Sequence, residues 1–452
     1  MIGARIRRNE DPRLLQGSGC FVDDVRPAGV LHAAVLRSPH AHARLVSIDA
    51  SRARALPGVA LVLTAADLGE LNQPTPLLIP HPALTHPRTP RPLAAGEVRY
   101  VGEPVAFVVA EDRYLAEDAL EAIDVTWDPL PAVASLDAAR AEGGPLVHAD
   151  VPGNRAARLA QRVGDPDAAF ARSARVFRER LWIERSCGSP IETRGVVAEW
   201  EARAGTLRVW DSTQAPLPIK NGLARLFGLP EFRVEVIAPD VGGGFGTKIM
   251  LFYPEEILVP LAAIRLHRPV KWIEDRREHL TAANQERGQL HDVEVAVDDE
   301  GRILALRDRF VHDAGAYTPY GIIVPLITAT QLPGPYRLQN YAVEFEVVYT
   351  NTAIVKPYRG AGRPHGAFVM ERVIGLIARE LGLEPVEIRR RNFIQPDQFP
   401  WDVGLTFQDG GPTRYDSGDY PRGLEMALEK IGFNDFRARQ AEARAQGRHL
   451  GL

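Results

Sequence analysis

The sequence of 452 residues contains only two cysteines, Cys20 and Cys187. Two cysteines cannot build a disulfide framework, a zinc site made only of cysteines, or an iron–sulfur cluster held entirely by this chain. If the protein transfers electrons, another polypeptide must therefore carry them onward.

The sequence also lacks a long apolar run and an excess of basic charge. No stretch approaches the roughly 18 apolar residues of a membrane-spanning helix, and the N-terminal segment has no apolar core typical of a secretory signal. The net charge is −4, and the one basic run, Arg389 to Arg391, is expected on a solvated helix. We therefore expect a cytoplasmic protein with no membrane span and no nucleic-acid partner.

What is present indicates an α+β protein of two or three domains, each long enough to bury a core. The run Val105–Val109 is typical of a buried strand, and an apolar stripe over 367–381 followed by Gly382 predicts a long helix with a glycine stop. Seven prolines between Leu71 and Leu93 exclude long regular elements there, so we predict an ordered loop that wraps within the first domain. Turn residues over 142–154 favour a domain boundary at that point.

The segment from Val241 to Lys248, VGGGFGTK, contains four glycines. Glycines let backbone N–H groups approach a bulky anionic ligand without side chains in the way, which favours a phosphate-bearing cofactor. The dinucleotide fingerprint does not fit, because Thr247 replaces its third glycine, and the P-loop lysine motif is absent. From the residues alone, a cofactor loop and a tight structural turn both remain open.

Two further segments place polar groups among small residues. Arg359 and Arg363 lie in PYRGAGRP, directly before the long predicted helix, where paired guanidinium donors and a helix N-terminus favour a pyrophosphate or an oxo group. Gln214 follows a predicted strand and offers a neutral donor and acceptor. Solvated surface arginines and a structural glutamine are the alternatives. A Gly-x-Ser-x-Gly nucleophile elbow is absent, so hydrolase function has little support.

Seven segments resemble, in this order, the large subunits of molybdenum hydroxylases of the xanthine dehydrogenase and aldehyde oxidase family. They are IRRNEDPRLLQGSGCFVDD, LRSPHAHARL, VRYVGEPVAFVVAEDRYLAEDA, DSTQAP, APDVGGGFGTK, RPVKWIEDRREH and YRGAGRPHGAFVMERVIGLIARELG. The resemblance implies an N-terminal α/β hammerhead domain over 1–140, a first molybdenum-cofactor-binding domain over 150–395, and the start of a truncated second one over 396–452.

The resemblance also assigns site residues. Gln214 matches the glutamine that hydrogen-bonds an oxo ligand of molybdenum, Phe245 matches the loop that faces the metal, and Arg359 matches the arginine beside it. The backbone positions that would approach a molybdenum–molybdopterin cofactor, expected in its cytosine dinucleotide form, are Gly243, Gly244, Gly246 and Gly360. In the family, such a site hydroxylates an electron-poor carbon with water-derived oxygen.

Three departures from the family pattern bear on the substrate. Ile249 stands where purine-oxidising members place a glutamate, Ile327 lies near the position of their substrate-facing arginine, and Ala361 replaces a ring-stacking aromatic residue. The carbon monoxide-oxidising branch has a cysteine where this chain has Gly360. An aldehyde or an N-heteroaromatic ring remains as the expected small-molecule substrate, with Ile249 and Ala361 at the substrate side.

The family's catalytic base lies in the second cofactor domain, so no catalytic residue is expected in this chain. The expected partners are a complementary C-terminal large-subunit chain, an iron–sulfur subunit with 2Fe–2S clusters and a subunit with FAD. The alternative is an inactive truncated remnant or partner-binding fragment.

Overall fold

A computed structural model of the chain describes residues 2–249 and 252–452. The strands are β1 Leu31–Arg37, β2 Ala43–Asp49, β3 Val59–Thr64, β4 Glu97–Val98, β5 Pro104–Ala110, β6 Asp124–Pro129, β7 Arg155–Val163, β8 Arg175–Cys187, β9 Gly195–Glu201, β10 Thr206–Asp211, β11 Val234–Ile237, β12 Val270–Ile273, β13 Gln285–Val297, β14 Ile303–Asp313, β15 Tyr341–Val348, β16 Trp401–Thr406 and β17 Pro412–Tyr415.

The helices are α1 Asp11–Leu15, α2 Ser51–Ala55, α3 Ala65–Leu68, α4 Arg113–Glu121, α5 Leu136–Arg140, α6 Pro166–Arg172, α7 Pro216–Phe227, α8 Pro254–Leu266, α9 Arg276–Ala282, α10 Ile323–Gln331, α11 Arg363–Leu381, α12 Pro385–Asn392, α13 Tyr420–Ile431 and α14 Phe433–Ala445. No helix within residues 2–249 and 252–452 is both long and apolar enough to cross a membrane. The mixed content agrees with the predicted α+β class.

A seven-stranded sheet in the order β11-β10-β9-β12-β1-β5-β3 forms one layer of the fold. Every residue of β5 is buried, as the apolar run in the sequence predicts. Strands β1, β3 and β5 precede residue 140 and the other four follow it, with β1 and β12 paired in parallel. The two expected segments, 1–140 and 150–395, thus contribute strands to one common sheet.

A five-stranded sheet in the order β7-β15-β14-β13-β8 carries the second core. Helix α11 buries Val369, Met370, Val373, Ile374 and Ile377 in this core, which confirms the predicted apolar stripe. Its end is also as predicted, because Gly382 adopts the left-handed conformation, with φ 66°, that a helix C-terminus favours.

The proline-rich segment is an ordered connection that wraps around the second core. The Leu78 N–H donates to the Pro319 carbonyl at 2.9 Å, the Thr85 N–H donates to Ala156 at 3.0 Å, and Arg88 accepts from the Thr318 N–H at 2.7 Å. These contacts confirm a wrapping loop, although it reaches beyond the segment 1–140.

The C-terminal part consists of a β16–β17 hairpin followed by α13 and α14. The hairpin contacts β7, where Gln161 accepts from the Thr406 N–H at 2.8 Å and donates to the Thr406 carbonyl at 3.0 Å.

The arginine run at 389–391 lies on helix α12, as predicted, and all three side chains are partly exposed. Arg389 pairs with Glu371, Arg390 pairs with Glu425 at 2.7 Å, and Arg391 donates to the Glu300 carbonyl. The three arginines therefore connect α12 to neighbouring elements, Arg389 and Arg390 through carboxylates on α11 and α13, and Arg391 through a backbone carbonyl.

Candidate cofactor site

The segment 241–248, here called the glycine loop, connects β11 to α8. Gly243 and Gly246 have φ values of 99° and 102°, and Phe245 lies in the left-handed region with φ 52°. Residues other than glycine rarely adopt the backbone conformation of Gly243 and Gly246. Phe245 is 41% exposed, so the loop presents an aromatic residue to solvent between two glycines with positive φ.

Gln214 lies against this loop because β10 ends at Asp211 and α7 begins at Pro216, where a proline is favourable in the first helical turn. The side-chain Oε1 of Gln214 accepts from the Gly246 N–H at 2.8 Å. The backbone N–H of Gln214 donates to the Lys248 carbonyl at 2.8 Å. Since Oε1 is used in holding the loop, the exposed side-chain NH2 group of Gln214 is the part that can donate to a ligand.

Arg359 contacts the glycine loop from the segment 357–362, here called the arginine loop. The surface formed by Gln214 and these two loops is here called the wall. The Arg359 N–H donates to the Phe245 carbonyl at 2.8 Å, and its guanidinium carbon lies 6.0 Å from the centre of the Phe245 ring. Within residues 2–249 and 252–452, no carboxylate forms an ion pair with this exposed guanidinium. The structure therefore brings Gln214, Phe245 and Arg359 together and leaves a cation to meet an anionic ligand.

The arginine loop is fixed from behind by α10. Gly360 has φ 89° and Ala361 has φ 51°. A Cβ on Gly362 would lie 2.2 Å from the Val324 carbonyl oxygen, so the loop packs directly on the helix that carries the buried Ile327.

Ile249 directly follows the glycine loop and is half-buried. Its carbonyl accepts from the Tyr320 hydroxyl. Of the two positions expected at the substrate side, Ile249 thus directly follows the glycine loop and Ala361 belongs to the arginine loop, and neither offers a charged group.

These residues fit a large anionic cofactor. The wall offers bare backbone at two glycines, an amide NH2 at Gln214 and the Arg359 guanidinium, which has no carboxylate partner among the residues that the structure describes. A pterin with a pyrophosphate requires close backbone approach and positive charge of this kind.

A buried network of charged residues lies next to the two loops. His279 Nδ1 donates to Glu274 Oε2 at 2.7 Å, and His279 Nε2 donates to the Gly188 carbonyl at 2.6 Å. Burial alone would lower the pKa of His279, but the Cys187 side chain, the Glu274 carboxylate and the Gly188 carbonyl outweigh it and raise the pKa to about 9. A Cβ on Gly188 would lie 2.5 Å from Thr247 Oγ1, so this imidazolium fastens the strand end that supports the glycine loop.

Stability should consequently fall in alkaline solution. Because the folded pKa of His279 exceeds the ordinary 6.5, its contribution is fully present below about pH 6.5 and is lost as pH rises through about 9, up to about 3 kcal/mol. We expect thermal unfolding between pH 6 and 10 to show a smaller pH dependence for His279→Gln than for the wild type. Parallel curves for the two proteins would contradict this assignment.

Two acidic residues that contact the glycine loop were not predicted from the sequence. Asp240, just before the glycine loop, accepts from Arg13 and from the Cys20 N–H at 2.9 Å, and these contacts hold the pKa of Asp240 at about 2, the Arg13 hydrogen bond having the largest effect. Glu192 contacts both ends of the loop. No local pattern marks either residue, because their partners are far away in sequence.

Comparison with known proteins identifies the family to which the chain belongs. Residues 147–393 match the model of the molybdopterin cofactor-binding domain, and residues 16–131 match the a/b hammerhead domain of aldehyde oxidase and xanthine dehydrogenase. The two matches together agree with a protein built around a molybdenum cofactor. The chain belongs to the molybdopterin-binding large subunits of the xanthine dehydrogenase and aldehyde oxidase family.

Individual relatives support this placement. The nicotine 6-hydroxylase large subunit of Paenarthrobacter nicotinovorans is 38% identical over 100% of this chain and 54% of that protein. The carbon monoxide dehydrogenase large chain of Afipia carboxidovorans is 36% identical over 97% of this chain and 55% of that protein. The crystal structure of quinoline 2-oxidoreductase from Pseudomonas putida 86 superposes with a TM-score of 0.90, at 39% identity, over 98% of this chain and 56% of that chain.

The chain thus spans about half the length of these relatives. A relative of similar length also exists. The nicotinate dehydrogenase large molybdopterin subunit of Eubacterium barkeri is 30% identical over 94% of this chain and 95% of that protein.

Proposed function

We propose that this chain forms one wall of the molybdopterin site in an oxidoreductase that hydroxylates an aldehyde or an N-heteroaromatic carbon with water-derived oxygen. The observation that carries the proposal is the joining of three segments by two hydrogen bonds, Gly246 N–H to Gln214 Oε1 and Arg359 N–H to the Phe245 carbonyl, each 2.8 Å long. Residues from three distant parts of the sequence meet there around exposed, bare backbone.

When bound, a molybdenum–molybdopterin cofactor would supply two-electron oxidation of the substrate. The residues of this chain bind and orient it. The backbone at Gly243, Gly244, Gly246 and Gly360 lets the cofactor approach closely, the Gln214 NH2 group donates to it, and Arg359 balances its negative charge. We propose the cytosine dinucleotide form of this cofactor, which carries an additional phosphate.

The chemistry of the substrate side favours a neutral, weakly polar molecule. Ile249 and Ala361 offer neither the carboxylate nor the stacked ring that would hold a purine, and Gly360 has no thiol for the carbon monoxide reaction. Two relatives take their names from nicotine and quinoline, which are N-heteroaromatic compounds, and this supports the same class for the present chain.

The proposed assembly contains a complementary chain that supplies the rest of the cofactor surface and the catalytic base. It also contains subunits with 2Fe–2S clusters and FAD, because this chain holds too few cysteines to carry electrons away. The nicotinate dehydrogenase subunit of similar length supports a large subunit divided between two chains.

Co-purification with the products of neighbouring reading frames tests this function. We expect stoichiometric molybdenum and released cytidine monophosphate, together with oxidation of quinoline, nicotine or benzaldehyde that incorporates oxygen from ¹⁸O-labelled water. The chain purified alone should be inactive. A complete co-expressed set that binds no molybdenum and oxidises none of these compounds would favour the inactive remnant.

A further inference from the structure

Glu192 lies between β8 and β9 and meets both ends of the glycine loop. Its side chain is 14% exposed. One carboxylate oxygen, Oε2, accepts from the Gly242 N–H at 2.7 Å, at the beginning of the loop, and from Lys248 Nζ at 2.7 Å, at its end. A single oxygen atom therefore closes the base of the loop.

The same oxygen reaches the segment that carries Gln214. The Ser212 hydroxyl donates to Glu192 Oε2 at 2.6 Å, and Ser212 is two residues before Gln214. The Lys248 carbonyl in turn accepts from the Gln214 N–H at 2.8 Å and from the Thr213 hydroxyl at 3.2 Å. Glu192 is thus bonded to both pieces of backbone that fix the position of the Gln214 amide.

The backbone at Glu192 packs directly against Gly242. The Glu192 N–H donates to the Gly242 carbonyl at 3.1 Å, and a Cβ on Gly242 would lie 2.4 Å from Glu192 Cβ. The close approach at Gly242 therefore explains one glycine of the loop that has an ordinary backbone conformation.

Charge makes the contact specific for a carboxylate. The Lys248 side chain has no exposed surface, and an ammonium group buried without a partner is strongly unfavourable. Glu274 and Asp211 also contribute favourable charge from a greater distance, but Glu192 is the carboxylate that contacts the Lys248 ammonium in the described residues. Removing the charge of Glu192 leaves the cation without its hydrogen-bonded counterion.

We propose that Glu192 is a positioning residue that locks the glycine loop and Gln214 into the geometry that receives the cofactor. The identity of that cofactor rests on the proposed function, whereas the locking itself is a property of this chain. Glu192 acts through Gly242, Lys248 and Ser212 and does not itself contact the ligand.

Hydrogen–deuterium exchange of the purified chain tests the lock without any cofactor. The loop contains hydrogen-bonded N–H groups at Gly242, Gly246 and Thr247. In Glu192→Gln, which keeps the shape but removes the charge, we expect these groups to exchange about tenfold faster or more, while β13 and β14 stay protected. The matched control is Glu235→Gln on β11, which removes an exposed ion pair with Arg208 of β10 and should leave the loop unchanged.

Two further variants separate this lock from a general loss of stability. Lys248→Met in the Glu192→Gln background removes the uncompensated cation and should restore much of the lost protection. Ser212→Ala removes only one of the three bonds to Oε2, so it should give a smaller increase confined to the glycine loop and the segment around Gln214. It keeps the proposal testable if Glu192→Gln fails to fold.

Equal exchange in the Glu192→Gln and Glu235→Gln proteins would overturn the proposal, as would faster exchange spread evenly over the chain, or a double variant no better protected than Glu192→Gln. A second measurement is molybdenum per chain in the co-purified complex, which should fall about tenfold in Glu192→Gln. If the wild type itself takes up no molybdenum, the proposed function fails, and the exchange data still decide the role of Glu192.

Discussion

Replacing Gly246 with valine should lower the molybdenum content of the co-purified complex at least tenfold. Gly246 has φ 102°, and a Cβ at this position would lie 2.4 Å from the Pro357 carbonyl oxygen and 3.0 Å from Tyr358 Cα. Both neighbours are backbone atoms of the arginine loop, so no flexible side chain can move aside. A strained residue costs about 1–3 kcal/mol, and each 1.4 kcal/mol corresponds to about a tenfold change in binding.

The damage should be local to the site. To relieve the clash, the two loops must separate, which breaks the hydrogen bond between the Arg359 N–H and the Phe245 carbonyl. Gly375→Val is the matched control, because Gly375 lies within α11 and a Cβ there meets nothing within 4 Å. Metal analysis and circular dichroism of both variants check the prediction. A normally folded Gly246→Val protein with full metal content would show that the loop does not receive the cofactor.

Local patterns in the sequence predicted one element of each of the two main cores. The buried strand β5 follows from an uninterrupted apolar run, and α11 follows from an apolar stripe with a glycine stop. Both depend on interactions between residues near one another in the chain, which the order of side chains determines directly. The glycine loop could also be located from the sequence, but its residues alone left its function open, because a tight turn uses the same residues, and only the family resemblance assigned it to a cofactor.

Long-range contacts were beyond the reach of such patterns. Asp240 meets Arg13 and Cys20 over more than 200 positions, and Glu192 meets Lys248 over 56. Nothing in the local sequence around an isolated carboxylate indicates which distant donor it accepts from. For the same reason, the sequence did not predict that Arg389 and Arg390 pair with Glu371 and Glu425, or that Arg391 donates to the Glu300 carbonyl.

The seven-stranded sheet that the two segments share also depends on long-range contacts, which local patterns do not predict. The pairing of β1 with β12 places Leu31 opposite Val270. Each strand by itself is an ordinary apolar segment, and its sequence does not indicate its partner. Resemblance to a family supplied the order of the segments, but it gave no pairing between them. The wall formed by Gln214, Phe245 and Arg359 depends on both cores, since Gln214 follows the first sheet and Arg359 precedes the helix that covers the second.

Substitutions at Gln214 should distinguish its two roles, which are to hold the glycine loop through Oε1 and to donate to the ligand through its NH2 group. Gln214→Ala removes both functions, and we expect turnover per bound molybdenum to fall about a hundredfold, the usual effect of losing one positioned donor in an active site. Gln214→Glu keeps an oxygen that can accept from the Gly246 N–H, at the 2.8 Å separation of the native pair, but it lacks the NH2 donor. The glutamate variant should therefore keep more molybdenum than the alanine variant.

The two effects appear in different measurements. Metal analysis reports whether the glycine loop still receives the cofactor, and steady-state turnover divided by molybdenum content reports on the donor. If the NH2 group matters, the glutamate variant stays slow even when loaded, because a carboxylate places negative charge where the native amide offers a proton. A loaded glutamate variant with wild-type turnover would restrict Gln214 to holding Gly246, and donation to the ligand would then have to come from Arg359 or from the complementary chain.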